Sequence, residues 1–153
     1  MNLGGFLAWT KSVLSYIVRA PSSNETDLFS KMKLHLTKAE GNQLITGYGQ
    51  GWIEINTKRY EQSLVVLPNL VVTDWLVTDF PSLSAENFQQ LLEYKPEVVL
   101  LGTGDKHRFA HPKLTRSLTE AGIGVECMDT AAACRTYNIL MSEGRHVAAA
   151  LLL

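Results

Sequence analysis

The chain has 153 residues, of which 46% are hydrophobic and 19% are charged, and its formal net charge is −1 at pH 7. This composition fits one globular domain with a sizeable core and excludes a disordered chain. The near-zero charge gives no overall electrostatic footprint for nucleic acid or for an anionic membrane. The sequence has no run of eighteen apolar residues, so we expect no membrane-spanning helix.

Residues 1–31 differ from the rest of the chain. Lys11 and Arg19 are the only charged residues before residue 25, and apolar residues recur on roughly one helical face. A secretory signal fits poorly because the apolar run is short, whereas a mitochondrial presequence fits the basic, amphipathic, acid-free pattern. The simplest interpretation is a helical or loose extension ahead of a start at Met32. We adopt it and expect residues 32–153 to form a single α/β domain.

The first half of that domain alternates apolar and polar residues, which is typical of half-buried strands. Polar turns, among them residues 56–59, separate short predicted strands at 32–36, 44–48, 52–55, 63–67 and 71–75. Strands spaced this closely form antiparallel hairpins. We therefore expect a β-meander that packs as a separate β layer.

In the second half, helices alternate with buried strands. Ser84 is a good N-cap for the first helix, Pro112 suits the first position of the second, and Asp129-Thr130 can cap a third over 131–143. Gly122 suits the C-terminal cap of the second helix, and Gly144 ends the third. A central sheet is predicted from strands at 98–101, 125–128 and 147–152. The first two should be parallel, because a helix crosses between them.

The loop Gly102–Asp105 joins a buried strand to a helix. Open α/β sheets usually bind ligands at this end of their strands, and free backbone N–H groups there can hold an anion. Asp105 and Asp129 could also face one crevice and do acid–base work or hold a cation. The structural alternative is a tight turn of glycines with positive φ, with Asp105 stabilising that turn and Asp129 capping the following helix. The candidate ligand residues are Gly102, Thr103, Gly104, Asp105, Asp129 and Thr130.

The last predicted helix places Cys134 and Asn138 on one side. Cys134, near the helix start, could be an activated thiolate, but such a stripe more often packs in a core, and no histidine is adjacent to act as a base. Cys127 and Cys134 form no C-x-x-C pair. We expect both thiols to be buried and reduced.

Sequence motifs provide little evidence for a catalytic or metal site. His107 and His111 are four residues apart, but Pro112 places His111 at or before a helix start and no third ligand stands close in sequence. Neither G-x-S-x-G nor H-E-x-x-H occurs. We assign no catalytic residue, no metal and no cofactor.

Three segments of the second half, "VVLLGTGDKHRF", "AGIGVECMDTAAACRTYNIL" and "SEGRHVAAALL", resemble a small-domain family. This family includes mitochondrial complex I assembly factor 3, an adipogenesis-associated cytosolic protein and many uncharacterised bacterial and archaeal members. The resemblance covers roughly residues 32–153. It implies a three-layer β/β/α fold around a central mixed sheet, no established catalytic activity and, for the mitochondrial branch, a role in assembly.

Two functions follow as hypotheses. The first is a non-enzymatic binding or assembly protein with protein partners of unknown identity, located in the cytoplasm, or in mitochondria if residues 1–31 are a presequence. It could be a homo-oligomer, and no nucleic acid is expected. The second is a small-ligand or anion-binding domain, with or without enzymatic activity, that uses the loop Gly102–Asp105.

Overall fold

The computed structural model describes residues 41–153, so the predicted extension 1–31 and the predicted strand 32–36 lie outside the described residues. Short 3₁₀ helices occur at Phe80–Ser82 and Gln90–Tyr94. The strands and α-helices of the described part are β1 (Ile45–Gly49), β2 (Trp52–Ile55), β3 (Lys58–Tyr60), β4 (Leu64–Leu67), β5 (Leu70–Val72), α1 (Ala85–Gln89), β6 (Val98–Thr103), α2 (Pro112–Glu120), β7 (Gly124–Met128), α3 (Thr130–Ser142) and β8 (Val147–Leu152).

The strands form two sheets. A small antiparallel sheet has the order β1-β2-β3, and a mixed central sheet has the order β5-β4-β8-β6-β7. Strand β6 is parallel to β7, as predicted from the crossover helix, and it is also parallel to β8. Strand β4 is antiparallel to β5 and β8. The α/β class and the mixed central sheet are confirmed.

The meander divides between the two sheets, which corrects one expectation. Strands β1 to β3 form a separate layer as predicted, but β4 and β5 belong to the central sheet, where Leu64 pairs with Leu151. All four residues of β4 are buried. Helices and strands cover both faces of the central sheet, so a strand inside it requires apolar residues at successive positions.

Two element boundaries also differ from the prediction. The turn expected at 56–59 is shortened to Asn56 and Thr57, which both have positive φ (47° and 72°), and Lys58 already belongs to β3. Positive φ at both central residues is the geometry of a tight two-residue hairpin. The strand expected at 71–75 ends at Val72, and Trp75 packs in the core from the following connection.

The central sheet separates two cores. One face packs against α3 and the small sheet, with Ile53, Leu100 and Tyr137 fully buried between them. The other face packs against α1, α2 and the connection after β5, where Leu101 meets residues such as Phe88. The alternation of Leu100 and Leu101 between the cores follows from the two-residue period of a strand.

The helix ends follow the predicted signals. Ser84 caps α1 through a hydrogen bond from the Asn87 N–H (3.4 Å), and Pro112 is the first residue of α2. Gly122 and Gly144, with positive φ, follow the ends of α2 and α3. Within residues 41–153, no helix combines the length and apolar character needed to cross a membrane.

Candidate functional site

An open cleft of about 870 Å³ lies where the carboxyl ends of β6 and β8 meet the start of α3. This is the edge of the sheet at which the sequence predicted a ligand site. The turn between β1 and β2 closes one side of the cleft, so the small sheet contributes to it as well. The residues that line the cleft include Tyr48, Asp79, Phe80, Thr103, Gly104, Asp105, Arg108, Asp129, Thr130, Ala131 and Leu152.

Thr130 ties three elements together at the base of the cleft. Its Oγ1 donates a hydrogen bond to the Leu152 carbonyl (2.6 Å) and accepts one from the Gly104 N–H (2.9 Å). Its own N–H donates to the Gly104 carbonyl (2.8 Å). The loop after β6 is thereby fastened to α3 and β8. The Gly104 N–H was predicted to be available to an anion, but it donates to Thr130 Oγ1 instead.

Thr103 holds the next part of the loop. Its buried Oγ1 accepts from the Arg108 N–H (3.1 Å) and lies within hydrogen-bond distance of the carbonyl oxygens of Lys106 (2.5 Å) and Met128 (3.1 Å). This one hydroxyl therefore fixes the start of the β6–α2 connection and joins it to the end of β7.

The two glycines of the loop serve different structural needs. Gly104 has φ of +89°, which favours glycine, and this confirms the expectation of a left-handed residue here. Gly102 lies where backbones approach closely, because a Cβ there would be 2.9 Å from Leu151 Cδ2 and 3.1 Å from Thr130 Cα.

Three aspartate side chains of the described residues line the cleft. Asp129 Oδ1 accepts from the Ala132 N–H (2.8 Å) and caps α3. Asp79 Oδ1 accepts from the Ser82 N–H (2.9 Å) and caps the 3₁₀ helix that begins at Phe80. Asp105 is exposed at the rim. The structure therefore brings Asp105 and Asp129 to one cleft. Asp129 has the helix-capping role that the structural alternative predicted.

Arg108 and Phe80 are lining residues that sequence reasoning missed. The Arg108 guanidinium lies 5.5 Å from the Phe80 ring centroid, within range of a cation–π contact. The two residues come from the connections after β6 and β5, and no local pattern relates such distant segments. Tyr48, also missed, accepts a hydrogen bond from Arg135 Nη1 (3.0 Å).

Cys134 and Asn138 are not among the lining residues of the cleft. Asn138 donates from Nδ2 to the Ile45 carbonyl (2.8 Å) and accepts from the Ile45 N–H (3.1 Å), which joins α3 to β1. Cys134 is buried, and this burial raises the pKa of its thiol to about 12 because the thiolate is poorly solvated there.

The expectation that both cysteines are buried is wrong for Cys127. Both thiols are free, but Cys127 is only half-buried, on β7, which is an edge strand of the central sheet within the part of the chain that the structure describes. Burial raises the pKa of Cys127, and a hydrogen bond from the Ala110 backbone acts in the opposite direction. An edge strand has a neighbour on one side only, so its side chains keep more contact with solvent.

The histidines of the β6–α2 connection have local roles. His111 Nδ1 accepts from the Lys113 N–H (3.2 Å) and caps α2, and the His107 ring packs 4.5 Å from the Phe109 ring, centroid to centroid. In the part of the chain that the structure describes, no three His, Cys, Asp or Glu side chains are grouped so as to hold a metal ion.

The fold and the cleft define a class: a small α/β domain in which a mixed sheet lies between two helical layers, one of them completed by a three-stranded sheet. Residues 45–152 match the family described as "Protein of unknown function (DUF498/DUF598)". The match spans most of the sequence, and the chain belongs to this family.

The chain is similar to proteins from animals and from bacteria. The mouse NADH dehydrogenase [ubiquinone] 1 alpha subcomplex assembly factor 3 is 33% identical over 135 residues, which cover 86% of this chain and 72% of that protein. The Francisella tularensis 13 kDa major membrane protein is 26% identical over 122 residues, covering 79% of this chain and 99% of that protein. A Bordetella parapertussis crystal structure superposes with a TM-score of 0.70 at 43% identity, covering 74% of this chain and 98% of that chain.

The resemblance found in the sequence is thereby confirmed, since the chain matches this family and is 33% identical to a protein named as this assembly factor.

Proposed function

We propose that this chain is a non-enzymatic binding protein that holds a partner protein during assembly of a respiratory NADH dehydrogenase. The observation that carries the proposal is the 33% identity to the mouse assembly factor over 86% of this chain. Because the similarity extends over most of the domain and is not confined to one motif, it supports a binding function common to the two proteins.

The cleft supports the proposal as the place where a partner segment binds. Phe80, Ala131 and Leu152 supply apolar surface in its lining, and Asp79, Asp105 and Asp129 add polar groups. Hydrogen bonds through Thr103 and Thr130 hold the walls in place. A preformed site loses little ordering entropy when a partner binds, which favours affinity.

The test is affinity capture of the tagged full chain from its source cell, followed by identification of the proteins that co-purify. A matched pair of variants makes the capture specific to the cleft. Ala131→Trp fills the cleft near the start of α3, whereas Ala85→Trp makes the same change in the exposed first turn of α1.

We expect the parent and Ala85→Trp to enrich subunits of an NADH dehydrogenase, and Ala131→Trp to lose them. If the parent enriches no respiratory subunit above a tag-only control, the assembly role is wrong. If Ala131→Trp enriches the same subunits as Ala85→Trp, the partner binds elsewhere on the domain.

The volume of the cleft favours a second candidate, a small-ligand site that uses Gly102–Asp105 with Asp129 and Thr130. At about 870 Å³ the cleft lies within the size range of small-molecule sites. Its lining carries three carboxylates and one guanidinium, Arg108. This balance favours a neutral or cationic ligand over the anion that the glycine loop alone indicates.

A thermal-shift screen tests this candidate. Nucleotides and phosphorylated metabolites represent anions, and polyamines and nucleosides represent cationic and neutral ligands. A ligand at a hundred times its Kd stabilises the folded state by about 2.7 kcal/mol. We expect a shift with the parent and Ala85→Trp and none with Ala131→Trp; equal shifts in both variants would place the ligand outside the cleft.

The cytoplasm is the proposed location, with mitochondria as the alternative if residues 1–31 are a presequence. The free thiols of Cys127 and Cys134 support a reducing compartment. Cell fractionation of the full chain, compared with a chain that begins at Met32, tests the choice. Loss of a mitochondrial signal on truncation would contradict the cytoplasmic assignment.

A further inference from the structure

The connection between β6 and α2 carries a basic segment. Residues 106–113, called the basic loop below, contain Lys106, Arg108 and Lys113 and no carboxylate, so their formal charge is +3 with neutral histidines. Adding the neighbouring Asp105 leaves a charge of +2, whereas the whole chain has −1. The basic loop is therefore a local positive segment whose three cations are exposed. It borders the cleft that holds Asp79, Asp105 and Asp129, and Arg108 belongs to both.

An aromatic ring stands out from this patch. Phe109, between the cations, has 78% of its surface exposed. The loop is nevertheless held in shape, because the Thr103 hydroxyl fixes its start, the His111 ring caps α2, and the His107 ring packs beside Phe109. The protein thus holds Phe109 in solvent on a structured loop.

A second exposed apolar side chain leaves the same edge of the sheet. Leu76, in the connection after β5, has 87% of its surface exposed. Strands β5 and β8 are both antiparallel to β4, so β5 runs in the direction of β8 and β6. The connections that carry Leu76 and Phe109 therefore both begin at the carboxyl edge of the central sheet.

We propose that this edge binds reversibly to the surface of an anionic phospholipid bilayer. Phe109 and Leu76 would enter the headgroup region while Lys106, Arg108 and Lys113 contact lipid phosphates. Bilayer interfaces favour this combination, since rings and leucines bury apolar area there and cations gain from the negative surface potential. Apolar side chains as exposed as Phe109 and Leu76 suit a bilayer surface, because a bilayer deforms around them and needs no complementary pocket.

The experiment measures sedimentation of the full chain with lipid vesicles. Vesicles of phosphatidylcholine mixed with phosphatidylglycerol are compared with pure phosphatidylcholine. We expect binding to the mixed vesicles alone, and weaker binding as salt is added, because exposed charges are screened. Lys106→Gln with Lys113→Gln should lower the partition coefficient roughly twenty-five-fold, about fivefold for each cation. Phe109→Ser should lower it at least about threefold.

Matched variants on other surfaces serve as controls. Lys58→Gln with Lys95→Gln removes two exposed lysines outside the basic loop, and Leu70→Ser removes an exposed leucine from the opposite end of β5. Both should bind like the parent, and circular dichroism confirms that each variant is folded.

Three results would overturn the proposal. The parent could fail to sediment with the mixed vesicles. The basic-loop variants could bind as the parent does, which would assign any binding to another segment, such as residues 1–31 with Lys11 and Arg19. Finally, soluble poly-L-glutamate could bind as tightly as the mixed vesicles with Phe109→Ser having no effect, which would identify an acidic polypeptide as the partner.

Discussion

Of the strand-to-helix connections that leave the carboxyl edge of the central sheet, β6–α2 and β7–α3 differ in almost every respect. Eight residues, 104–111, separate β6 from α2, whereas Asp129 alone separates β7 from α3. In the short connection, Asp129 and the adjoining Thr130 are committed to hydrogen bonds that hold the fold together. The long connection is fixed at its ends and exposes Phe109 between them. The short connection stabilises the edge, which leaves the long one free to contact other molecules.

Among the substitutions that test this comparison, Gly102→Ala is expected to lower stability most. Gly102 lies where the end of β6 meets the short connection. In Gly102→Ala the new methyl group would approach Leu151 Cδ2 to 2.9 Å and the Thr130 backbone to 3.1 Å. We expect unfolding free energy to fall by about 2 to 3 kcal/mol, as for overpacked cores. Urea denaturation followed by circular dichroism measures this, and a loss below that of Gly104→Ala would contradict the close-approach argument.

Thr130 is next in expected effect. Thr130→Val keeps the shape of the side chain but leaves the Gly104 N–H and the Leu152 carbonyl without the hydroxyl that pairs them. Buried groups that lose their partners cost about 1 to 3 kcal/mol each, and we expect a total loss of about 2 kcal/mol. Thr130→Ser retains the hydroxyl and is the control; equal stability of the valine and serine variants would show that the bridge contributes nothing.

Gly104→Ala tests the long connection where it begins. Its φ of +89° disfavours a side chain, although nothing lies within 4 Å of the added Cβ. The cost should be about 1 kcal/mol, from backbone conformation alone. Gly104→Asn is the informative partner, because asparagine tolerates left-handed conformations better than alanine does. An alanine variant more stable than the asparagine variant would refute the conformational explanation.

The smallest effects compare one carboxylate from each connection. Asp129→Ala removes the N-cap of α3 and should cost about 1 kcal/mol, whereas Asp129→Asn, which can still cap, should cost much less. Asp105→Ala, at an exposed position, should stay within about 0.5 kcal/mol of the parent. Equal losses at Asp105 and Asp129, measured by thermal denaturation, would erase the proposed difference between the connections.

Much of this fold is predictable from the sequence. The apolar run of β6, the N-caps Ser84 and Asp129, and the terminal glycines Gly122 and Gly144 are local signals, and each has its expected role. Strand pairing is not local, so the place of β4 in the central sheet was missed, although its unbroken run of apolar residues was a usable signal.

The cleft could be predicted only in part, for the same reason. Gly104, Asp105, Asp129 and Thr130 were found because they follow strands at one edge of a sheet. Asp79 and Phe80 come from the connection after β5, Tyr48 comes from the small sheet, and Arg108 lies further along the β6–α2 connection. Tertiary packing alone brings these residues together at the cleft. Cys127 was misjudged because its apolar neighbours in sequence did not reveal that β7 lies at an edge.

The contact between Asn138 and Ile45 has a consequence for aggregation. Among residues 41–153, strand β1 lies at the edge of the small sheet, and an unpaired sheet edge can pair with strands from other molecules. At Ile45 the Asn138 amide satisfies both the N–H and the carbonyl, as a neighbouring strand would, so this point is closed to an incoming chain. The opposite edge, β3, is short and carries Lys58 and Arg59, whose charges discourage such pairing. Replacing Asn138 with an uncharged residue that lacks an amide would therefore leave the Ile45 N–H and carbonyl open to pairing with a strand of another molecule. It would also weaken the attachment of β1 to α3.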